Sequence, residues 1–247
     1  MSVKHVLITG CSRGIGLGLV KSFHDKGFKV IATCRNPGQA PALQELIKEL
    51  NLEPPIALDV SNDEGIQSVF TQVKEKYKSI EVLVNNAGIS TSNHPDDPPG
   101  QLDRKEMDKV LSVNVSSVGM LTQSFLPIIR GSDGSPGKVI YISSLLGSIQ
   151  LNTPKETNFY MSTSYRCSKA ALNQLVKCFS LVQDQENMVH HLAVHPGHVQ
   201  TDMGGSRGRK APLQVEDVTP KIASLVDYLN QETNGQFVDY ESKILPY

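Results

Sequence analysis

No apolar run in this sequence approaches the roughly 18 residues that a bilayer-spanning helix needs. Cysteine is scarce: Cys11, Cys34, Cys167 and Cys178 are the only four, and no pair has C-x-x-C spacing. A chain of 247 residues, 39% of them apolar, can bury a sizeable core and does not need disulfide staples, so these four read as reduced thiols. Neither sign of charge is in excess. The formal net charge of -1 leaves no basic footprint for nucleic acid and no basic surface for a membrane. The opening segment MSVKHVLITG runs straight into a strand-like stretch and lacks the apolar core and small-residue cleavage site of a secretory leader, so the expected compartment is the cytoplasm. Internal repeats, low-complexity tracts and an interdomain linker are also missing. One domain over residues 1–247 is the expectation.

Short apolar runs alternate with longer amphipathic stretches. The runs are Val6-Leu7-Ile8, Val30-Ile31-Ala32, Ile56-Ala57-Leu58, Val82-Leu83-Val84, Val139-Ile140-Tyr141-Ile142 and Leu192-Ala193-Val194. Several show no period-2 alternation, the pattern of strands covered on both faces in a parallel sheet. Between them, Ile15, Leu19 and Phe23 form one helical stripe. Ser61 with Glu64 has capping-box spacing before Ile66, Val69, Phe70 and Val73. The longest helix candidates cover residues 105–129 and 165–183. Strands alternating with helices predict an α/β, doubly wound, Rossmann-type domain with right-handed crossovers.

The turn Thr9-Gly10-Cys11-Ser12-Arg13-Gly14-Ile15-Gly16 joins the first strand to the first helix. Glycines there permit a tight turn and close approach of a pyrophosphate to the helix N-terminus. The second strand ends Thr33-Cys34-Arg35, where NAD-binding folds usually carry an acid for the ribose hydroxyls. That acid is missing, and Arg13 and Arg35 suit a 2′-phosphate instead, which favours NADP(H). Tyr165 and Lys169 lie at i, i+4 and share a helix face. A phenol titrates near pH 10 unless its anion is stabilised, and a neighbouring ammonium does that.

Further motifs accompany these in order: D-V at Asp59-Val60, N-N-A-G at Asn85-Asn86-Ala87-Gly88, Asn114, S-S at Ser143-Ser144, and P-G-x-V-x-T from Pro196 to Thr201. Together they resemble the short-chain dehydrogenase/reductase family over essentially the whole chain. Thr33-Cys34-Arg35-Asn36, Ser143-Ser144-Leu145-Leu146-Gly147, Tyr165-Arg166-Cys167-Ser168-Lys169 and His195-Pro196-Gly197 are similar to the sniffer and C-factor branch of carbonyl reductases. The resemblance implies a mostly or wholly parallel seven-stranded sheet flanked by helices, and NADPH-dependent reduction of a small-molecule carbonyl to an alcohol. It implies that Tyr165 is the general acid and that Lys169 depresses its pKa and bonds the nicotinamide ribose. Ser144 would bond the substrate oxygen, and Asn114 would hold a water in a relay to Lys169. The cofactor would be held by Gly10, Ser12, Arg13, Gly14, Ile15 and Gly16 of the turn, and by Arg35. Asp59 and Val60 would lie at the adenine, with Asn86, Ala87 and Gly88 along the adenosine. Tyr165 and Lys169 would also touch the nicotinamide side, and Pro196, Gly197, Val199 and Thr201 would fix its carboxamide. A homodimer is implied too, through the helices of residues 105–129 and 165–183, burying Leu111, Val115, Leu172 or Val176.

One departure stands out. Ser144 and Tyr165 are 21 positions apart, against about a dozen in most of the family, so a longer loop must separate them. Residues 90–101, 150–164 and 203–212 each follow a strand and are expected to ring the substrate pocket. Phe159, Tyr160 and Met161 offer an apolar wall there, and Gly204, Gly205 and Gly208 a hinge. His190, His191, His195 and His198 read as histidines near a sheet, not as metal ligands. Asp96-Asp97 reads as a solvated loop, and residues 74–78 as an exposed charged face. Cys11 is either a small packing residue or a thiol activated by the helix end. A non-catalytic NADPH-binding sensor is the competing reading; an epimerase lacks its second domain, and an enoyl reductase its wider Tyr–Lys spacing.

Overall fold

A computed structural model describes residues 3–91, 97–153, 155, 161–182, 188–205 and 210–247. Seven strands form one sheet: β1 (His5–Ile8), β2 (Lys29–Cys34), β3 (Ile56–Ala57), β4 (Val82–Asn85), β5 (Gly137–Ile142), β6 (Val189–His195) and β7 (Gln236–Asp239). Every neighbouring pair is parallel, in the order β3-β2-β1-β4-β5-β6-β7. The order reverses between β1 and β4, and at such a reversal the loops leaving the strand C-termini diverge and open a crevice.

The helices are α1 (Gly14–Asp25), α2 (Pro41–Glu49), α3 (Asp63–Tyr77), α4 (Arg104–Leu111), α5 (Ser117–Phe125), α6 (Thr163–Ser180) and α7 (Val215–Tyr228). The pleat of β1 sends Val6 and Ile8 to one face and Leu7 to the other. Val6 and Ile8 pack with Leu19, Phe23, Leu43 and Ile222 from α1, α2 and α7. Leu7 packs with Val69, Val73, Leu121, Phe125 and Leu172 from α3, α5 and α6. Burial on both faces is why the strands read as unbroken apolar runs. The α1–α7 contact is close: a Cβ on Gly18 would lie 2.4 Å from Val215 and 2.9 Å from Thr219. The Ser22 and Thr219 hydroxyls bond across it at 3.0 Å.

Several local expectations need correction. The stretch 105–129 is not one helix. A π turn over Ser112–Ser116 separates α4 from α5, and a 3-10 turn over Leu126–Ile128 follows. The cap of α3 is Asn62, whose side chain accepts from the Gly65 amide at 2.7 Å. Ser61 turns back instead, donating to Asp59 through amide and hydroxyl at 3.0 and 2.7 Å. Helix α6 begins two residues before Tyr165 and ends at Ser180; Gln183 lies outside the described residues. The seventh strand escaped the apolar-run reading because Gln236 and Asp239 flank only Phe237 and Val238. Leu172 and Val176 are buried in this chain's own core, at 1% and 0% exposure, so no second copy can cover them. Leu111 and Val115 remain half-buried. The 74–78 stretch does carry exposed charges at Lys74, Glu75, Lys76 and Lys78. Among the described residues no helix is long and apolar enough to cross a membrane.

Candidate active site

The glycine turn leaves β1 at the reversal point. Gly10 and Gly14 have φ of 73° and 58°, a region costly for side chains with a Cβ. Gly16 is required for a different reason: a Cβ there would lie 2.2 Å from the Gly10 carbonyl oxygen and 2.5 Å from Asn86 Nδ2. Thr9 ties this turn to the end of β4. Its hydroxyl oxygen accepts from the Asn86 and Ala87 amides, both at 3.0 Å. The Asn86 side chain donates back to the Thr9 and Gly10 carbonyls at 2.7 and 3.2 Å. Asn86, expected along the adenosine, is therefore occupied in holding the turn. The Thr9 hydroxyl, quoted only as part of a motif, is a structural member of the site. The result is a cradle at a helix N-terminus with no Cβ at Gly10, Gly14 or Gly16, the shape and polarity that a dinucleotide pyrophosphate requires.

Cys11 settles as a packing residue. It is fully buried, its thiol donates to the Ile8 carbonyl at 3.2 Å, and burial pushes its pKa up to about 12. Arg13 is exposed and paired through Nε with Asp202 at 3.1 Å. Arg35 is exposed at the end of β2. Near it, Asp59 is held below the usual carboxylate range by the Ser61 hydroxyl and amide, with burial opposing and Arg35 a smaller contributor. Two cationic side chains thus flank the turn, with no acid at the end of β2.

Helix α6 and the end of β5 build the opposite wall. Lys169 is buried and donates to the Ile142 carbonyl at 2.8 Å, and its Nζ lies 5.6 Å from the centre of the Tyr165 ring. Burial pulls its ammonium down to about 8. Burial also pushes the Tyr165 phenol up to about 12, against the lowering effect of the Ser144 hydroxyl hydrogen-bonded to it. Desolvation, and not the ammonium, sets the direction of this phenol's shift. Ser144 Oγ accepts from the Leu146 amide at 3.2 Å. Its turn lies so close to α6 that a Cβ on Gly147 would come within 2.7 Å of the Lys169 backbone.

Asn114 sits in the π turn, a local widening frequent at functional sites. Both protons of its amide are used: Nδ2 donates to the Ile89 carbonyl at 2.8 Å and the Ser168 hydroxyl at 3.0 Å, while Oδ1 accepts from the Ile89 amide at 2.9 Å. A Cβ on the neighbouring Gly88 would lie 3.2 Å from Asn114 Oδ1 and 3.7 Å from Lys169 Nζ, so all three meet in one place.

After β6, Gly197 packs so that a Cβ would lie 2.4 Å from Leu213, and Val199 is buried. Thr201 Oγ1 accepts from the Gly204 amide at 3.0 Å, and its methyl Cγ2 lies over the glycine turn, 3.3 Å from where a Gly14 Cβ would be. Gly204 and Gly205 are not free hinges. Their hypothetical Cβ atoms would lie 2.0 Å from the Val199 carbonyl and 2.5 Å from Gln200 Nε2, so close packing explains them. Gly208, Phe159 and Tyr160 lie outside the described residues. Among the described residues no group of three histidines, cysteines or carboxylates is placed to hold a metal ion. His191 instead packs beside Tyr141, its Nδ1 2.9 Å from the hydroxyl, with burial pulling it down to about 3.

Two residues escaped the sequence reading. Asp97 is not solvated: it is 1% exposed, and its carboxylate accepts from the Ser164 amide at 2.5 Å. Arg166, largely buried beside Tyr165, reaches both ends of the long loop, donating through Nε to the Met161 carbonyl and through Nη1 to Asn152 Oδ1, each at 3.0 Å. Only the contacts reveal Asp97, since 67 positions separate it from its partner. Arg166 carried a signal: a charge beside the tyrosine, on a helix packed against the sheet, needs partners if buried.

The cradle at the sheet's reversal point and the Ser144, Tyr165 and Lys169 cluster facing it define a dinucleotide-dependent oxidoreductase of the short-chain type. The short chain dehydrogenase family model matches residues 4–212, and the chain belongs to that family. It is similar to C-signal of Myxococcus xanthus, 34% identical over 68% of this chain and 93% of that protein. Among solved structures, the carbonyl reductase Sniffer of Drosophila melanogaster matches over the whole of both chains at 32% identity, with a TM-score of 0.88. An NADPH-bound carbonyl reductase from chicken fatty liver matches all of this chain and 95% of its own, at 32% identity and a TM-score of 0.87.

Proposed function

We propose that this protein reduces a small carbonyl compound to an alcohol with NADPH, using Tyr165 as proton donor. The observation that carries this reading is the convergence of the Ser144 hydroxyl and the Lys169 ammonium on the Tyr165 phenol, across the crevice from the glycine cradle. NADP(H) is the cofactor, and when bound it supplies the hydride. The chain's residues supply position and protons. Ser144, whose oxygen accepts from Leu146, would turn its proton from the Tyr165 phenol to the substrate oxygen when substrate binds. Tyr165, protonated across the neutral range, gives its proton to that oxygen as charge develops there. Lys169 holds the ribose side and faces the phenol. A water relay through Asn114 runs through its main-chain carbonyl or the second lone pair of Oδ1, because both amide protons are engaged. The homodimer implied by the resemblance is supported only by the half-buried Leu111 and Val115 face.

The test is NADPH oxidation against a panel of quinones, α-dicarbonyls, aldehydes and ketosteroids. Cofactor binding with no turnover of any class would instead favour a sensor. Arg35→Ala should weaken NADPH binding by about ten- to a hundredfold, the worth of one charge-assisted contact, and leave NADH unchanged. Titration of both cofactors checks this, and equal wild-type affinities would sink the assignment of Arg35.

The pH dependence follows from the two shifted groups. Tyr165, up at about 12, keeps its proton through neutral and mildly alkaline pH, so carbonyl reduction does not fail for want of a donor there. Lys169, down at about 8, is charged only below that value. Reduction should hold level at neutral pH and decline as pH rises through about 8. Lys169→Arg, charged throughout, should remove that limb from the kcat/KM profile. A limb unchanged in the arginine variant would assign it to another group.

A further inference from the structure

The helix that carries Tyr165 has no cap of its own. Ser162, at its N-cap, is left-handed with φ of 66°, and its side chain makes no capping bond. The Ser164 hydroxyl is buried with no hydrogen-bond partner among the described residues and offers no substitute. A helix start leaves its first amides without intrahelical partners, and buried amides need some. Asp97 takes two of them. Its main-chain carbonyl accepts from Thr163 at 3.1 Å, and its carboxylate from Ser164 at 2.5 Å. The residue is held at φ of 38°, a conformation uncommon for side chains larger than glycine, though aspartate tolerates it better than most. A carboxylate this deep persists only where hydrogen bonds and a positive helix end compensate its lost hydration.

The residue after Ser164 is Tyr165. We propose that Asp97 is a positioning residue for the Tyr165 phenol, fixing the helical turn from which it projects and holding the loop after β4 against that turn. The proposal rests on the reading of Tyr165 as the acid. The loop after β4 leaves the crevice end of the sheet, so a single carboxylate sets both a wall of the substrate side and the place of the proton donor. Losing it lets the first turn of α6 fray, and the phenol leaves the line to the substrate oxygen. A misplacement of about 1 Å at a reacting group can cost about a hundredfold in rate.

The experiment compares Asp97→Ala, Asp97→Asn and Asn62→Ala with wild type and Tyr165→Phe. Asn62→Ala removes an ordinary helix cap on α3, a helix that carries none of Ser144, Tyr165 and Lys169. Asp97→Ala should lower kcat by about ten- to a hundredfold while NADPH affinity is kept and exchange of the Thr163 and Ser164 amides accelerates. Asp97→Asn keeps an accepting oxygen and should recover most of kcat and of the protection. Asn62→Ala should lower the melting temperature without changing kcat well below it. If Asp97→Ala does not fold, Asp97→Ser replaces it, and kcat must fall as exchange at Ser164 rises. Normal kcat in Asp97→Ala beside an inactive Tyr165→Phe overturns the positioning role and leaves the acid standing. An Asp97→Asn protein as poor as Asp97→Ala, or kcat falling equally in Asn62→Ala, also overturns it. Activity kept in Tyr165→Phe overturns both readings.

Discussion

Tyr165→Phe is expected to lose about a hundred- to ten-thousandfold in kcat and almost nothing in NADPH affinity. The substitution removes one oxygen and keeps the ring, so the packing of α6 and the 5.6 Å contact with Lys169 Nζ survive. What disappears is the phenolic proton that Ser144 and Lys169 flank. Burial holds that phenol near 12, so the wild type keeps the proton at neutral pH. If the glycine turn carries most of the cofactor affinity, that affinity is insulated from the change. Single-turnover kinetics separate the two quantities: a Phe variant that reduces substrate at near-normal rate would remove Tyr165 from the acid role.

Gly16→Ala should fail in the opposite way, through binding. The added methyl would stand 2.2 Å from the Gly10 carbonyl oxygen, a backbone atom that cannot swing aside, and 2.5 Å from the Asn86 amide nitrogen. Relieving the contact moves the turn by roughly 1 Å, and overpacking of this kind costs about 1–3 kcal/mol in stability. Because Asn86 also staples the turn to Thr9, the disturbance reaches the end of β4. NADPH affinity should drop by about a hundredfold, with a lower melting temperature and little cofactor-induced stabilisation. Calorimetric titration showing wild-type affinity would mean that the turn does not cradle the pyrophosphate.

The sheet was legible because β1, β2, β4, β5 and β6 are buried on both faces and bounded by glycine or polar turns, while the half-exposed β3 showed only through its short apolar run. β7 was not, since its end residues are polar and its burial depends on β6 beside it. The glycine turn and the Tyr165–Lys169 pair stood out by residue type and spacing, and Ser144 by its place at the end of β5; the structure brings Ser144, Tyr165 and Lys169 together. What local pattern could not give was the state of each group. The i, i+4 ammonium predicted a lowered phenol pKa, but desolvation acts on both partners and raises the phenol while lowering the lysine. The π turn escaped because its residues Ser112-Val113-Asn114-Val115-Ser116 continue a helical pattern; the widening is set by contacts of Asn114 with Ile89 and Ser168. Asp97 looked like a loop aspartate for the same reason: its burial is decided by a helix distant in sequence.

Arg166 has a consequence for how this scaffold can change. Its guanidinium grips Asn152 and Met161, so the segment between them enters and leaves at two points fixed by the catalytic helix itself. Residues inserted, deleted or exchanged inside that span add little closure cost, because the ends are already held together. The length and sequence of that span can then change, by natural drift or by grafting, without touching the register of Tyr165. The long stretch after Ser144 is in this sense an exchangeable cartridge, and Arg166 is the socket that holds its two ends to the helix of Tyr165.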